Sequence, residues 1–355
     1  MIKLLVVDDS ALMRRQLSTL FQAESDFEVR QARNGREAVA ENRDFQPDVV
    51  TLDINMPEMD GITALSLIMA ERPVPVVMVS SLTEKGALAT FEALNLGAVD
   101  YIAKPGGTIS LSIGEIKDEL VNKVRSAARS RPKVQGRAKG LAQRLREERE
   151  QSAPRPVAVR RGVASDGVVV IGVSTGGPRT LEEILPQLPL DFPWPVLVAQ
   201  HMPAAFTRSF AERLNSICQL EVVEVASPMT IESGHVYIAK GGADMLVVQR
   251  AGKPTLIAKP ESKAHLWHPS VELLGRSVLE HYDAARVLGV MLTGMGYDGA
   301  DAFAEIKKGG GRTIAESEET AVVFGMPAEL IERGGASVIL PLEKIANQIN
   351  VWAGR

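Results

Sequence analysis

Residues 167–185, GVVVIGVSTGGPRTLEEIL, run an uncharged, Val- and Ile-rich stretch into a glycine-rich turn and then a helical pattern. Such a stretch reads as a strand buried on both faces, the kind that fills parallel sheets. A buried strand that turns directly into a helix is half of a βαβ unit, so the chain is of the α/β class, with ligands expected beyond the carboxyl ends of its strands. Ser174 is displayed at that end, beside helix N-terminal amides that have no partner inside the helix.

The loop alone leaves three readings open. GVSTG fits the G-x-S-x-G pattern of a nucleophile elbow, and the same loop could cradle an anion or be a plain tight turn. A Walker loop would need Lys and Ser or Thr after the second glycine, but Pro178 and Arg179 follow Gly177, and the dinucleotide fingerprint G-x-G-x-x-G is absent. The neighbouring strands decide. PVLVAQHMP (195–203) ends at His201, and ARVLGVMLTGMGYDGA (285–300) leads into a loop that carries Asp298. Ser174, His201 and Asp298 then share one sheet edge as nucleophile, base and orienting acid of an acyl-transfer site. Their order along the chain is Ser, His, Asp, whereas common α/β-hydrolases run Ser, Asp, His, so the short motif does not assign that family. Asp301 is a weaker rival for the acid, because it should already lie inside the next helix. His265 and His268 form an H-x-x-H pair with no carboxylate or further ligand at metal spacing, and Trp267 and Pro269 suggest a packed loop rather than zinc. Glu261 and Lys263 read as surface residues, His235 as preceding a strand, and His281 as late in a helix.

The first third has the same alternation. IKLLVVDD (2–9), PDVVTLDI (47–54), VPVVMVSS (74–81) and VDYIAKP (99–105) are buried strands, with helical patterns such as SALMRRQLSTLFQ between them. Asp8, Asp9, Asp53, Ser80 and Lys104 all fall at strand ends. Three carboxylates on one edge repel unless a hard cation joins them, and Mg2+ with retained waters is the simplest choice. It would also neutralise a phosphoryl group arriving at Asp53, with Lys104 as a second clamp and the Ser80 hydroxyl as a donor. Asp53 becomes a carboxylate nucleophile that forms an acyl phosphate. Helix capping would explain Asp9 or Ser10, but not Asp53 inside an apolar run.

Between the two halves the composition changes. From Arg129 to Arg161 there are 11 Lys and Arg against Glu147, Glu148 and Glu150, interspersed with Pro and Gly, within a chain of net charge -4. That is a solvated basic tether between two acidic domains; without aromatic interleaving it is not a nucleic-acid binder. The expected division is residues 1–126, a linker over 127–165, and a second domain over 166–355. No run reaches the roughly 18 apolar residues that a spanning helix needs, and Asp8 and Asp9 stand where a signal peptide needs small residues. With Cys218 alone no intrachain disulfide can form, so a cytoplasmic protein without membrane insertion is expected.

Residues 1 to about 125 resemble a response-regulator receiver domain, on the DD at 8 and 9, LDINMPEMDG from 52, VSS from 79 and YIAKP from 101. The resemblance implies a flavodoxin-like fold, phosphotransfer to Asp53 from a histidine kinase, and a metal held by Asp8, Asp9, Asp53 and the Asn55 carbonyl. It places Tyr101 at an aromatic switch position, though the bare residue reads equally as a half-buried strand tyrosine. It also implies a cis Lys104–Pro105 bond. Residues 166–351 resemble the chemotaxis protein-glutamate methylesterases (CheB), through IGVSTGGP, VAQHMP, VYIAKGGADM, PSVELL and MLTGMGYDGA in the family's order. That resemblance implies a Rossmann-like catalytic domain without a cofactor, with Ser174 as nucleophile, His201 as base and Asp298 as its partner. It makes the Met295 amide an oxyanion donor and Thr175 a supporting residue. One departure is His268, where family members often have Arg before the Pro.

The reaction implied is hydrolysis of glutamate methyl esters on methyl-accepting chemoreceptors, with deamidation of glutamine as a second activity. A receiver tethered to a hydrolase makes phosphorylation of Asp53 a means of controlling access to Ser174. A phospho-dependent adaptor is the rival, which intact Ser174, His201 and Asp298 oppose; the same esterase serving a non-motility receptor array is a milder variant. A transcription regulator is excluded, since about 190 residues of alternating strand and helix are not a small helix-turn-helix domain.

Overall fold

The computed structural model describes residues 1–81, 83–104, 109–130 and 167–354, and for residues 84, 85 and 109–116 the backbone alone. The chain divides into two compact units, Met1–Gln135 and Gly136–Arg355. Residues 131–165 of the expected tether and the Lys104–Pro105 bond lie outside the described residues. A cis bond is found instead at His268–Pro269.

The first unit alternates β1 (Ile2–Val7), α1 (Ala11–Gln22), β2 (Phe27–Ala32), α2 (Gly35–Asp44), β3 (Val49–Asp53), α3 (Gly61–Glu71), β4 (Val76–Ser80), α4 (Glu84–Leu96), β5 (Asp100–Ala103) and α5 (Ile109–Arg129). The last helix therefore continues beyond residue 126. All strand pairs are parallel, in the order β2-β1-β3-β4-β5. Every residue of β3 and β4 is buried, as their unbroken apolar runs require. Ser10, Asn34, Asp60 and Thr83 cap the helices that follow them, each side chain accepting an amide of the first turn. The chain leaves β1 on one side for β2 and returns on the other for β3, so a crevice opens between the ends of β1 and β3. Asp8 and Asp53 stand on its two sides.

The second unit contains β6 (Val168–Val173), α6 (Gly177–Ile184), β7 (Val196–Gln200), α7 (Ala204–Ile217), β8 (Glu221–Val225), β9 (Met229–Thr230), β10 (His235–Ala239), β11 (Ala243–Arg250), β12 (Lys253–Pro260), α8 (Val271–Leu279), β13 (Val287–Met291), α9 (Ala300–Lys308), β14 (Arg312–Glu316), α10 (Met326–Glu332), β15 (Val338–Leu340) and α11 (Leu342–Ala353). Its main sheet is parallel, in the order β15-β14-β13-β6-β7-β10-β8. The first strand, β6, is central, and β13 and β7 flank it. Their three carboxyl ends carry Asp298, Ser174 and His201.

An antiparallel sheet, β11-β12-β9, adds to the doubly wound plan that the sequence implies. Its hairpin turns on Ala251 and Gly252, both in the left-handed region (φ 47° and 74°), as a two-residue loop between twisted strands requires. Cys218 is buried just past the end of α7, and His281 lies just past α8 rather than within it.

Two glycines hold the sites in place. A Cβ on Gly172 in β6 would stand 2.4 Å from Val271 Cγ1, so a bare backbone there lets the start of α8 pack onto the strand. A Cβ on Gly61 would stand 2.0 Å from the Asp53 carbonyl oxygen, and the Gly61 amide donates to the Ile54 carbonyl at 2.8 Å. Gly61→Ala is therefore expected to lower the stability of the first unit by about 1–3 kcal/mol, the usual range for forced overpacking. The urea transition of the first unit within the full chain is the measurement; an unchanged midpoint would contradict the close approach.

Candidate active site and phospho-acceptor site

In the first unit, carboxylate oxygens of buried Asp8 and Asp53 and exposed Asp9 lie within 4.8 Å of one another. Lys104 Nζ is 2.9 Å from Asp8 Oδ2 and 2.8 Å from Asp53 Oδ2. The other oxygens are oriented by the backbone: the Ser10 amide donates to Asp8 Oδ1 at 2.9 Å, and the Asn55 amide to Asp53 Oδ1 at 3.4 Å. Burial pushes the Asp53 pKa up; Lys104 opposes this and the Asp8 charge adds to it. For Lys104, burial works against the ammonium, but the Asp53 and Asp8 carboxylates outweigh it, and its pKa rises.

This donor set fits a hard divalent ion. Both Oδ2 atoms are buried with Lys104 Nζ as their shared contact and no other hydrogen-bond donor among the described residues, and an exposed Asp9 leaves a side open to water. Ser80 Oγ donates to the carbonyls of Gly86 at 3.2 Å and Ser81 at 3.4 Å. Tyr101 is only 3% exposed, a fully buried strand residue rather than a half-buried one. Burial, aided by the Asp100 and Glu119 charges, pushes its phenol well above the ordinary value.

In the second unit, His201 directly follows β7, and its amide donates to the Val173 carbonyl at 3.1 Å. Its Nε2 lies 2.8 Å from Asp298 Oδ2. Asp298 is buried, and a carboxylate there needs compensation. The start of α8 supplies it: Ser270 Oγ and the Glu272 amide donate to Oδ1, both at 3.0 Å, and the Val271 amide to Oδ2 at 2.7 Å. Burial alone would raise the Asp298 pKa. His201 and the Val271 and Glu272 amides outweigh it and hold the carboxyl below the ordinary 3.8. An ionised Asp298 can only accept, so Nε2 carries the proton and Nδ1 is the basic nitrogen. Nδ1 is buried and has no hydrogen-bond partner.

Ser174 is half-buried directly after β6. Its amide donates to the Thr293 carbonyl at 3.0 Å, on the β13 side, and its carbonyl accepts from the Gly177 amide at 2.8 Å. The Thr293–Gly296 loop presses against it, since a Cβ on Gly294 would stand 2.8 Å from Ser174 Cβ. Met295, the expected oxyanion donor, is the next residue. Thr293 Oγ1 ties this loop to the buried Thr175 through its carbonyl at 2.9 Å, and fully buried Glu316 at the end of β14 accepts the Thr293 amide at 2.8 Å.

Several residues at the site escape sequence reasoning. The Trp267 ring lies parallel to the His201 imidazole, centroids 5.9 Å apart, and Tyr297 meets Trp267 edge-on at 5.0 Å. His268 Nδ1 bonds Asp244 Oδ1 at 2.8 Å, a carboxylate 24 residues away in sequence. That buried carboxylate also accepts the amides of Ser262 and Ser270 at 3.2 and 2.9 Å, and serves as a loop anchor. The acidic cluster of the first unit is the only three-ligand group found among the described residues. Asp301 pairs with Arg333 at 2.7 Å, away from the acid's role. Ser270 had a sequence signal, since it caps the helix that VELL begins, accepting the Leu273 amide at 3.2 Å.

The depressed Asp298 pKa has a sign. Its contribution to stability is fully present above the unfolded value of about 3.9 and is lost as the pH falls through the lower, folded value. The difference in urea midpoint between wild type and Asp298→Asn is therefore expected to shrink below about pH 4. A difference that persisted undiminished to pH 2 would mean that the carboxylate charge is not what α8 stabilises.

Residues 169–349 match the family CheB methylesterase, and residues 4–112 the family Response regulator receiver domain. The chain is 53% identical to a Rhodospirillum rubrum protein named protein-glutamate methylesterase/protein-glutamine glutaminase 3, over 100% of this chain and 97% of that one. It is 52% identical to a Rhodopseudomonas palustris protein named protein-glutamate methylesterase/protein-glutamine glutaminase 2, over 99% and 98%. The crystal structure of the Thermotoga maritima CheB methylesterase catalytic domain is 41% identical and covers 53% of this chain and 99% of its own, with a TM-score of 0.51. The chain therefore belongs to the CheB methylesterase family, with a response-regulator receiver domain ahead of the catalytic domain.

Proposed function

We propose that this protein hydrolyses methyl esters on glutamate side chains of chemoreceptors, deamidates receptor glutamines at the same site, and is activated by phosphorylation of Asp53. The observation that carries this reading is the His201–Asp298 pair at 2.8 Å, at strand ends on either side of the one that displays Ser174. Ser174 Oγ attacks the ester carbonyl while His201 Nδ1 takes its proton. The oxyanion that forms is met by the Met295 amide, with Thr175 supporting the loop. Asp298 stabilises the imidazolium, which then protonates the departing methoxide to methanol. Water, deprotonated by the same nitrogen, cleaves the acyl-enzyme and leaves a glutamate carboxylate. A glutamine amide follows the same course and releases ammonia.

In the receiver, Asp53 accepts the phosphoryl group from a histidine kinase. Mg2+ would be held by Asp8, Asp9, Asp53 and the Asn55 carbonyl, and would neutralise charge on the incoming group. Lys104 leaves its pairing with Asp53 to bind a phosphoryl oxygen. Ser80 exchanges its bonds to the Gly86 and Ser81 carbonyls for a bond to the phosphoryl group, and Tyr101 is the aromatic whose environment then changes. Among the described residues no helix is long and apolar enough to cross a membrane. The enzyme is proposed to act from the cytoplasm on receptors it does not share a membrane with.

Methanol release from methyl-labelled receptor membranes tests the whole reading. Wild type should release methanol, faster with Mg2+ and a small phosphodonor, and Ser174→Ala should lose at least about 10³-fold. Asp53→Asn should lose the response to the donor. Release that did not depend on Ser174 would remove the esterase assignment and leave an adaptor.

A further inference from the structure

We infer that Gln200 is a positioning residue that fixes the nucleophile-bearing and base-bearing strand ends at one spacing; the inference rests on Ser174 and His201 holding those roles. The parallel ladder between β6 and β7 runs in register to Val173 and Gln200, and its last bond is that of the His201 amide to the Val173 carbonyl. Beyond it the strands part. Ser174 turns toward β13, giving its amide to Thr293, and the Ser174 carbonyl lies beyond that last ladder bond.

The Gln200 side chain takes over from the ladder. It is 2% exposed, at the end of a strand whose other residues are apolar, and its Nε2 donates to the Ser174 carbonyl and the His201 carbonyl, each at 3.0 Å. Both partners are acceptors, so both amide hydrogens are used and the nitrogen must face them. Oε1 then points at Gly177, lying 1.9 Å from where a Cβ on that residue would stand. That oxygen is buried with no hydrogen-bond partner. An unsatisfied buried acceptor weakens a fold, and a leucine or methionine of similar size would avoid it. Keeping the amide costs stability at a place where two reacting groups must be held together, the kind of local conflict found at functional sites. Asp298 and Trp267 fix the His201 ring from its other side, and Gln200 is the side chain that joins the Ser174 and His201 carbonyls directly.

The test uses the full-length protein and compares Gln200→Leu, which keeps the shape and removes both donors, with wild type and Ser174→Ala. Methanol release from receptor membranes gives kcat and KM, the rate of Ser174 labelling by phenylmethylsulfonyl fluoride reports nucleophile activation, and urea unfolding gives the folded fraction. Misplacement of reacting groups by an ångström costs on the order of 10²-fold. Gln200→Leu should therefore lose roughly 10–100-fold in kcat with KM nearly unchanged, and Ser174 labelling should slow by the same factor in fully folded protein. Should the leucine variant not fold, Gln200→Asn, which keeps the amide but falls short of the carbonyls, should show the same pattern. If Ser174→Ala is inactive while a folded Gln200 variant keeps wild-type kcat and labelling, or loses only KM, this inference fails and the triad stands. If Ser174→Ala remains active, the triad reading fails and takes this inference with it.

Discussion

A buried carboxylate is the constraint on which the catalytic unit depends. Asp298 is 4% exposed and kept ionised, which is costly without several donors around it. The donors are the first amides of α8 and the hydroxyl of its capping residue, so the whole helix start has to reach the sheet edge. That need accounts for features far apart in the chain. Gly172 is bare so that Val271 can sit on β6, and Asp244 holds Ser270 and His268 so that the turn into α8 has a fixed course. A charge at a helix N-terminus is worth up to ~2 kcal/mol when partly buried, and here the hydroxyl and the His201 pair add to it.

The receiver solves a similar problem with a different outcome. Asp53 is also buried beside Asp8, but its donors are one backbone amide and a lysine shared between two acids. Its pKa is raised where that of Asp298 is lowered. An orienting acid has to remain an anion throughout the cycle and is saturated with fixed donors. In the proposed role of phospho-acceptor, Asp53 would exchange its partners for a phosphoryl group, and its Oδ2 meets only the shared Lys104 ammonium. The difference in saturation matches the difference in work.

How much of this the sequence discloses follows from what each residue interacts with. Asp8, Asp53, Ser174 and His201 are readable because an apolar strand ends in a polar residue, a signal confined to a few neighbouring positions. Asp298 was readable only as the acid in a loop after such a strand. Ser270, Asp244, Trp267 and Gln200 act across contacts of 26 to 66 residues, and their local surroundings look like caps, strand ends or packed loops. The antiparallel hairpin was hidden for another reason: Ala251 takes a left-handed conformation that sequence patterns assign to glycine or asparagine. The partner of His268 was hidden because Asp244 is 24 residues away in sequence.

The unusual chain order Ser, His, Asp follows from the strand order. With β6 central, the chain goes first to β7 on one side, delivering His201 after Ser174, and comes to β13 on the other side only later. Asp298 thus begins two strands away from the imidazole it pairs with. The loop from Thr293 to Gly299 closes that distance by passing over the end of β6, and in doing so places Gly294 against Ser174. The same crossing that brings Asp298 to His201 therefore also packs the Thr293–Gly294 backbone against Ser174, whose amide bonds the Thr293 carbonyl. In a sheet that visited β13 before β7, the acid and base would arrive in the other order, but the three strand ends would offer the same chemistry, since a triad is defined by geometry and not by sequence position.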